Sequence, residues 1–244
     1  MEQENLMFSI MGLISQTDAP ITFKGAMITR LILAENNFDR ISRTTKDVDA
    51  NWTDKPPTMQ HLVSTLNQSL KDMQNMLEAV PTRDYTSTQS AGISIVEKST
   101  GNELFSMDIS VKPVQGNRIY YYGDIGIKGV LPDEVLSDKL AVISSPRLFR
   151  RIKDMVDIYA LSHCIDVSTD KIISITEAKQ HDIQDFDCLL NRASDVKHAY
   201  EKLRGIHNKP DFDKVYSYII SFVKPFVEKD RSSKVWNSQS IEWN

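Results

Sequence analysis

The sequence lacks the features that mark secreted, metal-cluster and membrane-spanning proteins. It has two cysteines, Cys164 and Cys188, which share no metal-binding spacing and offer no disulfide framework. Its apolar run at residues 6–14 follows Glu2 and Glu4 rather than a basic segment, and the run is too short to span a bilayer. These absences predict a cytoplasmic protein without a membrane segment, and the apolar run is interpreted as a first amphipathic helix.

Internal repeats, low-complexity segments and a strong charge of either sign are also absent from the sequence. The 244 residues suffice for one or two domains with a core, and 41% of them are hydrophobic, which is ordinary for a globular protein. The formal net charge of −4 argues against a protein that coats nucleic acid, although it leaves room for a local basic surface. The composition therefore fits an enzyme of modest size.

The most informative segment, residues 43–49, carries two carboxylates separated by one apolar residue. Side chains alternate between the faces of a strand, so Asp47 and Asp49 would point to one side while Val48 enters the core. Two carboxylates held this close need a cation between them, and Mg²⁺ takes oxygen ligands while keeping substrate phosphates in its shell. A metal site is one interpretation, and a strand end with two solvated acids is the other.

The segment that precedes this pair favours the metal site. A short β-prone run at residues 21–23 stops at Lys24, Gly25 and Ala26, and a helical pattern begins at once. A small-residue turn before a helix lets backbone N–H groups approach a phosphate. A strand, such a turn, a helix and then a strand with Asp-x-Asp is the order in which nucleotidyltransferases of the polymerase-β type build their site.

The rest of the chain predicts an α+β protein. Apolar periodicity indicates a helix from Pro57 to about residue 79, and the polar residues 81–90 are interpreted as a loop. The next three β-like runs are interpreted as an antiparallel meander at residues 93–98, 103–111 and 118–127. Later residues predict helices at 132–144, 147–163, 176–187, 191–205 and 210–228. We expect a core at 1–130, a helical domain that completes the active site at 131–230, and a flexible tail at 231–244.

A third acidic residue lies within the predicted meander. Asp108 falls on the polar face of a strand whose other face is apolar. It is either a solvated acid or a third metal ligand, since a two-metal transfer centre takes acids from neighbouring strands. Asp124, between two glycines, is a weaker candidate for the same role.

Two charges lie inside apolar helical patterns in the second half. Lys139 and Asp157 are flanked by apolar residues, and burying an unpaired charge is costly, so each needs a partner. That partner is a phosphate, a metal-bound substrate or the other member of the pair, the last being a structural salt bridge. A basic cluster of Arg147, Arg150, Arg151 and Lys153 could neutralise a triphosphate or an RNA backbone, or could be a solvated helix face.

Taken together, these segments resemble the successive motifs of the AbiEii/AbiGii-type nucleotidyltransferase toxins of type IV toxin–antitoxin and abortive-infection (antiviral defence) systems. The motifs are residues 23–26, 43–49, 138–141 and 153–159, and the resemblance covers about residues 20–165. It implies a polymerase-β-like nucleotidyltransferase core, a mixed sheet with flanking helices, followed by a helical C-terminal domain. It also implies transfer of a nucleotidyl group from an NTP with Mg²⁺ (or Mn²⁺), in studied relatives to the 3′ end of tRNA, and a cognate antitoxin.

The resemblance assigns roles by position. Asp47 and Asp49 are the metal-binding acids, and Lys139 and Asp157 match the essential lysine and the final acidic motif. Asp108, which no family motif covers, is expected beside the two acids as a third from its strand position. The residues expected to contact the substrate or its phosphates are Lys24, Gly25, Ala26, Arg43, Thr45, Arg150, Arg151, Lys153 and Asp154. Two positions depart from the family pattern. Ala26 lacks the hydroxyl of a serine, and Lys153 replaces an arginine, which would present a bidentate fork.

Two alternatives to the transferase remain. In a metal-dependent nuclease, Asp47, Asp108 and Lys112 would form an acid–acid–lysine set, although Lys112 follows Asp108 by four residues rather than two. In a catalytically inactive nucleotidyltransferase fold, the chain would serve as a module that binds RNA or protein.

Overall fold

The computed structural model describes residues 2–38, 41–85, 89–230 and 232–244. The described helices are α1 (Glu2–Ser15), α2 (Gly25–Glu35), α3 (Met59–Ser69), α4 (Pro132–Ile143), α5 (Lys153–Leu161), α6 (Thr169–Ala178), α7 (Asp187–Asn191), α8 (Ala193–Glu201) and α9 (Phe212–Val227). The strands of the first half are β1 (Ile21–Lys24), β2 (Ser42–Arg43), β3 (Asp47–Trp52), β4 (Leu77–Arg83), β5 (Ser90–Glu97), β6 (Glu103–Ser110), β7 (Asn117–Tyr122) and β8 (Ile125–Val130). Shorter strands follow as β9 (Val167–Ser168), β10 (Ile206–His207), β11 (Val235–Asn237) and β12 (Glu242–Trp243).

The chain divides into two compact units. The first comprises Met1–Leu31 and Thr45–Leu131, and the second comprises Ile32–Thr44 and Pro132–Asn244. The first holds the large sheet, and the second is mostly helical.

The first unit is organised around a mixed sheet whose strand order, over the described residues, is β4-β5-β6-β3-β1-β8-β7. Strand β3 pairs in parallel with β6, and β1 pairs in parallel with β8, while the other neighbours are antiparallel. Alternation along β3 explains its central place, because Val48 and Ala50 are fully buried while Asp47 and Asp49 point to the opposite face. The sheet therefore has an apolar face that forms the core and a face that carries polar side chains.

The predicted meander is wrong in one respect. Strands β5 and β6 do pair antiparallel, but residues 117–130 fold as a hairpin of β7 and β8, and β3 and β1 lie between this hairpin and β6. The hairpin turns at Gly123, whose φ is +57°, a conformation that glycine adopts without strain. The apolar face of β6 is completed by β3, a strand 51 residues or more earlier in the chain, and no local pattern reveals such a pairing.

The segment at residues 70–83 also differs from its prediction. Helix α3 ends at Ser69, a short 3₁₀ turn follows at Lys71–Met73, and β4 then pairs with β5 along the edge of the sheet. Leu77 and Ala79 are buried and alternate with exposed residues. The apolar spacing that suggested a longer helix is therefore, from residue 77 on, the period of a strand.

The second unit packs α4 against α5 and α6, and α5 against α9. Its core includes Leu136, Leu140, Ile158 and Phe222, all fully buried. The two-residue strand β10 pairs with β2, so that Arg43 lies in this unit opposite Ile206.

The sequence predicts a flexible tail from residue 231, whereas the described part, residues 232–244, is held by packing. Strands β11 and β12 pair with each other, and β11 pairs with β9. Trp236 is 1% exposed, packs edge-on against Phe222 and donates from Nε1 to the Ser162 carbonyl at 2.9 Å. The segment is mostly polar, but two tryptophans that pack against each other, Trp236 and Trp243, anchor it.

Candidate functional site

The Asp-x-Asp pair lies on β3, on the polar face of the sheet in the first unit. Asp47 is exposed and accepts a hydrogen bond from Ser106 Oγ at 2.7 Å, while Asp49 is half-buried. The neighbour of Asp49 in the register with β1 is Lys24. Both carboxylates therefore share one face, as the alternation of the strand predicted.

Gly25 and Asp49 are packed so closely that only glycine fits. A Cβ at Gly25 would lie 2.2 Å from Asp49 Oδ2 and 2.9 Å from its Cγ, and the glycine has φ of +68°. The Asp49 carboxylate thus rests on the backbone at the first residue of α2. Anions are favoured at a helix N-terminus, where N–H groups have no partner within the helix. Ala26, the second small residue of the turn, lies in the first turn of α2.

Lys24 is held within the same face. Its Nζ donates to Asn51 Oδ1 at 2.6 Å and to Ser110 Oγ at 2.8 Å, and Asn51 is fully buried. These bonds fix the ammonium beside the strand that carries both acids. Its contact with a substrate phosphate stays a prediction.

Asp108 also lies on this face, because it is the register partner of Asp49 on β6. It has a cationic neighbour already, since Arg83 Nη2 donates to Asp108 Oδ2 at 2.8 Å. Asp124, by contrast, lies in the two-residue turn between Tyr122 and Ile125, away from the acidic positions of β3 and β6. Lys112, the lysine of the nuclease alternative, follows the end of β6.

The two acids of β3 have the donor chemistry that a magnesium ion requires. Within the described ranges there is no cluster of three or more His, Cys, Asp or Glu side chains that could hold a metal ion. Mg²⁺ in phosphoryl-transfer sites is commonly bound by one or two carboxylates, with substrate phosphates and water supplying the other oxygens. Asp47 and Asp49 fit that pattern, whereas Asp108, the third predicted ligand, has its Oδ2 bonded to Arg83.

In the second unit, Lys139 and Asp157 are partners of each other. Lys139 Nζ lies 2.5 Å from Asp157 Oδ2 and 3.3 Å from Asp154 Oδ1, and all three side chains are at most 6% exposed. This is one of the arrangements that the sequence left open. A lysine between two buried carboxylates satisfies the charges that the apolar helices α4 and α5 would otherwise leave unpaired.

Arg43 completes this cluster from β2. Its Nε donates to Asp157 Oδ1 at 3.1 Å, so Asp157 bonds two cations. Burial opposes the ionisation of Asp157, but the charges and hydrogen bonds of Lys139 and Arg43 outweigh it and lower the pKa of this carboxyl below its usual value. Asp157 is therefore a carboxylate at neutral pH.

The basic residues just before and at the start of α5 differ in their environments. Arg151 Nε donates to Asp154 Oδ2 at 3.0 Å, and Arg150 is exposed. Burial, together with the charges of Arg43 and Arg151, lowers the pKa of Lys153, although Asp154 and Asp157 act in the opposite direction.

Thr45, in the first unit, donates from its hydroxyl to the Asp47 carbonyl at 3.2 Å. Contacts of these residues with a substrate remain predictions.

Sequence reasoning missed three ion pairs, two made by Lys179 and one made by Arg83 with Asp108. The Lys179 side chain is 3% exposed, and its Nζ donates to Glu134 Oε1 at 3.1 Å and to Asp138 Oδ1 at 2.6 Å. These bonds connect the C-terminus of α6 to α4, close to Lys139 in the sequence. Arg83 lies in a segment that was interpreted as a loop. The lysine follows α4 by more than 35 residues, so no local spacing signals its role.

Comparison with solved structures finds thirteen matching chains, three of which illustrate how distant the resemblance is. MenT4, a nucleotidyltransferase toxin from Mycobacterium tuberculosis, is 14% identical with a TM-score of 0.45, covering 78% of this chain and 66% of its own. An antigenic nucleotidyltransferase-like protein from Paracoccidioides brasiliensis is 14% identical with a TM-score of 0.48, covering 88% and 97%. The Megavirus polyadenylate synthase is 8% identical with a TM-score of 0.37, covering 98% and 45%. This chain therefore spans just under two thirds of MenT4 and under half of the viral enzyme.

Comparison with curated proteins gives no significant match. In the parts of the chain that the structure describes, no helix is both long and apolar enough to cross a membrane. The decisive finding is a match of residues 13–230 to the family model described as the nucleotidyl transferase AbiEii toxin of type IV toxin–antitoxin systems. This match covers most of the chain and confirms the predicted family, its α+β fold and its class of enzyme. The chain belongs to the AbiEii family of nucleotidyltransferase toxins.

Proposed function

We propose that this protein is a Mg²⁺-dependent toxin that transfers a nucleoside monophosphate from an NTP to the 3′ end of tRNA and so blocks translation. The family supports the transferase chemistry and a toxin–antitoxin context. The tRNA acceptor and the metal are the finer parts of the proposal, and so is a cognate antitoxin that restrains the toxin.

One observation carries the proposal most directly: the Asp49 carboxylate rests on Gly25 at the start of α2. The acid that we propose as a metal ligand thus lies beside the N-terminus of a helix. A nucleoside triphosphate needs both, since its negative phosphates are favoured by the helix terminus and by a cation between them and the acids. Asp47, two residues along the same face of β3, supplies a second carboxylate.

Asp47 and Asp49 would hold the ion, for which Mn²⁺ is an alternative to Mg²⁺. When bound, the ion supplies Lewis-acid polarisation of the phosphates. The residues of the chain bind and orient the triphosphate, and catalysis is chiefly positioning and electrostatic stabilisation.

The reaction is a substitution at the α-phosphorus. The acceptor hydroxyl oxygen forms a bond to that phosphorus, the bond to the β-phosphate oxygen breaks, and pyrophosphate leaves. The hydroxyl proton passes to a basic oxygen of the site. We assign Lys139 and Arg43, from their positions in the family motifs, to stabilising charge on the phosphates, with Asp157 and Asp154 holding Lys139. Arg150 and Arg151, from the basic cluster before the last motif, are assigned the same role.

The experiment is a transfer assay with total tRNA, Mg²⁺ and each α-³²P-labelled NTP in turn. We expect label on a tRNA-sized band for at least one nucleotide, and none with the Asp49→Ala variant, whose unfolding transition should stay cooperative. Label on protein instead would overturn the tRNA acceptor. Shortened RNA would favour the nuclease, and an intact protein without any label would favour the inactive binding module.

A further inference from the structure

Arg83 reaches the polar face of the sheet from two strands away. Its side chain starts on β4 and crosses β5 at Gly92, the register partner of both Arg83 and Asp108. A Cβ at Gly92 would lie 2.7 Å from Thr82 Oγ1 and 3.2 Å from Arg83 Cβ. Gly92 therefore puts no side chain between Arg83 and Asp108 on this face, and a Cβ there would be in tight contact with the base of the arginine side chain.

The Arg83 guanidinium is held in place through one of its nitrogens, Nη2. Arg83 Nη2 donates to Asp108 Oδ2 at 2.8 Å and to Ser90 Oγ at 3.0 Å. An arginine presents five N–H donors in a planar fork that matches phosphate. Its side chain is 47% exposed, and the bonds to Asp108 and Ser90 use Nη2 alone, which leaves other N–H donors for a ligand.

The Arg83 guanidinium lies on the same face of the sheet as the two predicted metal-binding acids. Asp108 is the register partner of Asp49, and adjacent strands lie about 5 Å apart, so Arg83 is anchored on the strand next to the two predicted metal-binding acids. Without Arg83, Asp108 would add a third negative charge to a face that must accept a polyanionic substrate. With it, the face offers an oriented cation to that substrate.

We propose that Arg83 binds a phosphate of the substrate, and that Asp108 is the positioning residue that aims it rather than a ligand of the metal. The phosphate belongs either to the NTP or to the RNA backbone, which share this chemistry. The inference rests on the proposed function, because it concerns the same face of the sheet.

Kinetics with varied NTP and varied tRNA test the inference. We expect Arg83→Gln to raise the KM of one of the two substrates by about tenfold, equivalent to about 1.4 kcal/mol, with kcat little changed. A raised KM for NTP assigns the triphosphate, and a raised KM for tRNA assigns the RNA backbone. Arg83→Lys should restore part of the loss, because lysine keeps the charge without the fork.

Two further variants separate positioning from metal binding. Asp108→Asn should raise the same KM as Arg83→Gln, leave the Mg²⁺ concentration for half-maximal activity unchanged, and add nothing in the double variant. Gly92→Ala, which adds a methyl group about 3.2 Å from Arg83 Cβ, should raise the same KM by a smaller factor. The matched control is Arg30→Gln, which removes another partly exposed arginine–carboxylate pair of the first unit, that with Glu4, and should match wild type.

Filter binding of labelled NTP and of tRNA to the same proteins makes the test independent of turnover. Absence of transfer by the wild-type protein overturns the proposed function, whatever the variants bind. Binding and KM values of Arg83→Gln equal to those of Arg30→Gln overturn the inference. A higher Mg²⁺ requirement in Asp108→Asn, with none in Arg83→Gln, overturns it in favour of Asp108 as a metal ligand.

Discussion

Lys139 Nζ and Asp157 Oδ2 lie 2.5 Å apart inside the second unit, on adjacent helices and almost fully buried. Arg43 bonds the other oxygen of the same carboxylate, and Asp154 contacts the same ammonium. The two charges that stood out in the sequence as isolated in apolar helices thus neutralise each other. A buried pair of this kind is costly to break from one side only.

Removal of the lysine charge should therefore destabilise the fold. We expect Lys139→Met to lower the free energy of unfolding by about 3 kcal/mol, because it leaves a buried carboxylate with one cation fewer. Urea denaturation followed by circular dichroism measures this. The control is Lys171→Met, whose pair with Asp133 is half exposed on the lysine side and should be worth less than about 1 kcal/mol.

A double variant distinguishes a structural role from a catalytic one. Lys139→Met with Asp157→Asn removes both charges and should recover part of the lost stability. If the pair is only structural, transfer activity should recover with stability. We expect activity to stay low, because Lys139 is assigned to stabilising charge on the phosphates.

The carboxyl of Asp157 should make stability depend on acid pH. Lys139 and Arg43 outweigh the effect of burial and hold its pKa below the usual value. A carboxyl with a lowered pKa in the folded state contributes stability above its unfolded pKa of about 3.9, and this contribution is lost as pH falls through the folded value. The free energy of unfolding should therefore fall more steeply below about pH 4 in wild type than in Asp157→Asn. Parallel curves for the two proteins would contradict this account.

The contact between Gly25 and Asp49 should not tolerate a methyl group. In Gly25→Ala, the new Cβ would approach Asp49 Oδ2 to 2.2 Å, and the residue would also keep an unfavourable φ of +68°. We expect loss of nucleotide transfer together with lower stability, because the carboxylate must move. Gly101→Ala is the matched control, since Gly101 has φ of +71° and no atom within 4 Å of its Cβ position.

This pair of variants separates backbone strain from the position of the acid. Both should lose about 1 kcal/mol from the strained backbone, as measured by urea denaturation. Only Gly25→Ala should lose transfer in the labelled-NTP assay. Full activity in Gly25→Ala would remove the observation on which the proposed function most depends.

The C-terminal strands should contribute to stability. We expect Trp236→Ala to cost about 3 kcal/mol or more, because Trp236 is 1% exposed and its indole bonds the Ser162 carbonyl. Thermal and urea unfolding measure the loss. Its neighbour Val235 is 45% exposed, so Val235→Ala should change stability by less than about 0.5 kcal/mol. Similar effects of the two variants would show that the tail is loose after all.

Local patterns predicted the parts of the molecule that local physics determines. The strand at Ile21, the turn at Gly25 and the alternation of β3 follow from side-chain size and periodicity over a few residues. The pairing of Lys139 with Asp157 followed, as one of several options, from the cost of burying a lone charge. These features lie near each other in the chain or obey a rule that needs no partner to be known.

The parts that were missed depend on contacts between distant residues. Strand β6 pairs with β3 across more than 50 residues, so the sheet order could not be obtained from turns alone. The bond from Arg83 to Asp108 spans a third strand, which carries Gly92 at the same register position. Strands β11 and β12 are too short to carry a periodic signal. The pairing of β11 with β9 and the burial of Trp236 show that the segment packs against the second unit's core.

The mass of the RNA acceptor shows whether the acids of β3 serve nucleotide transfer to RNA. We would incubate purified tRNA with the protein, Mg²⁺ and the NTP that gives label, and then measure the intact tRNA mass. We expect the tRNA mass to increase by one or more whole nucleotide residues with wild type and to stay unchanged with Asp49→Asn. Fragments lighter than the starting tRNA, or the same gain with the Asp49→Asn variant, would contradict it.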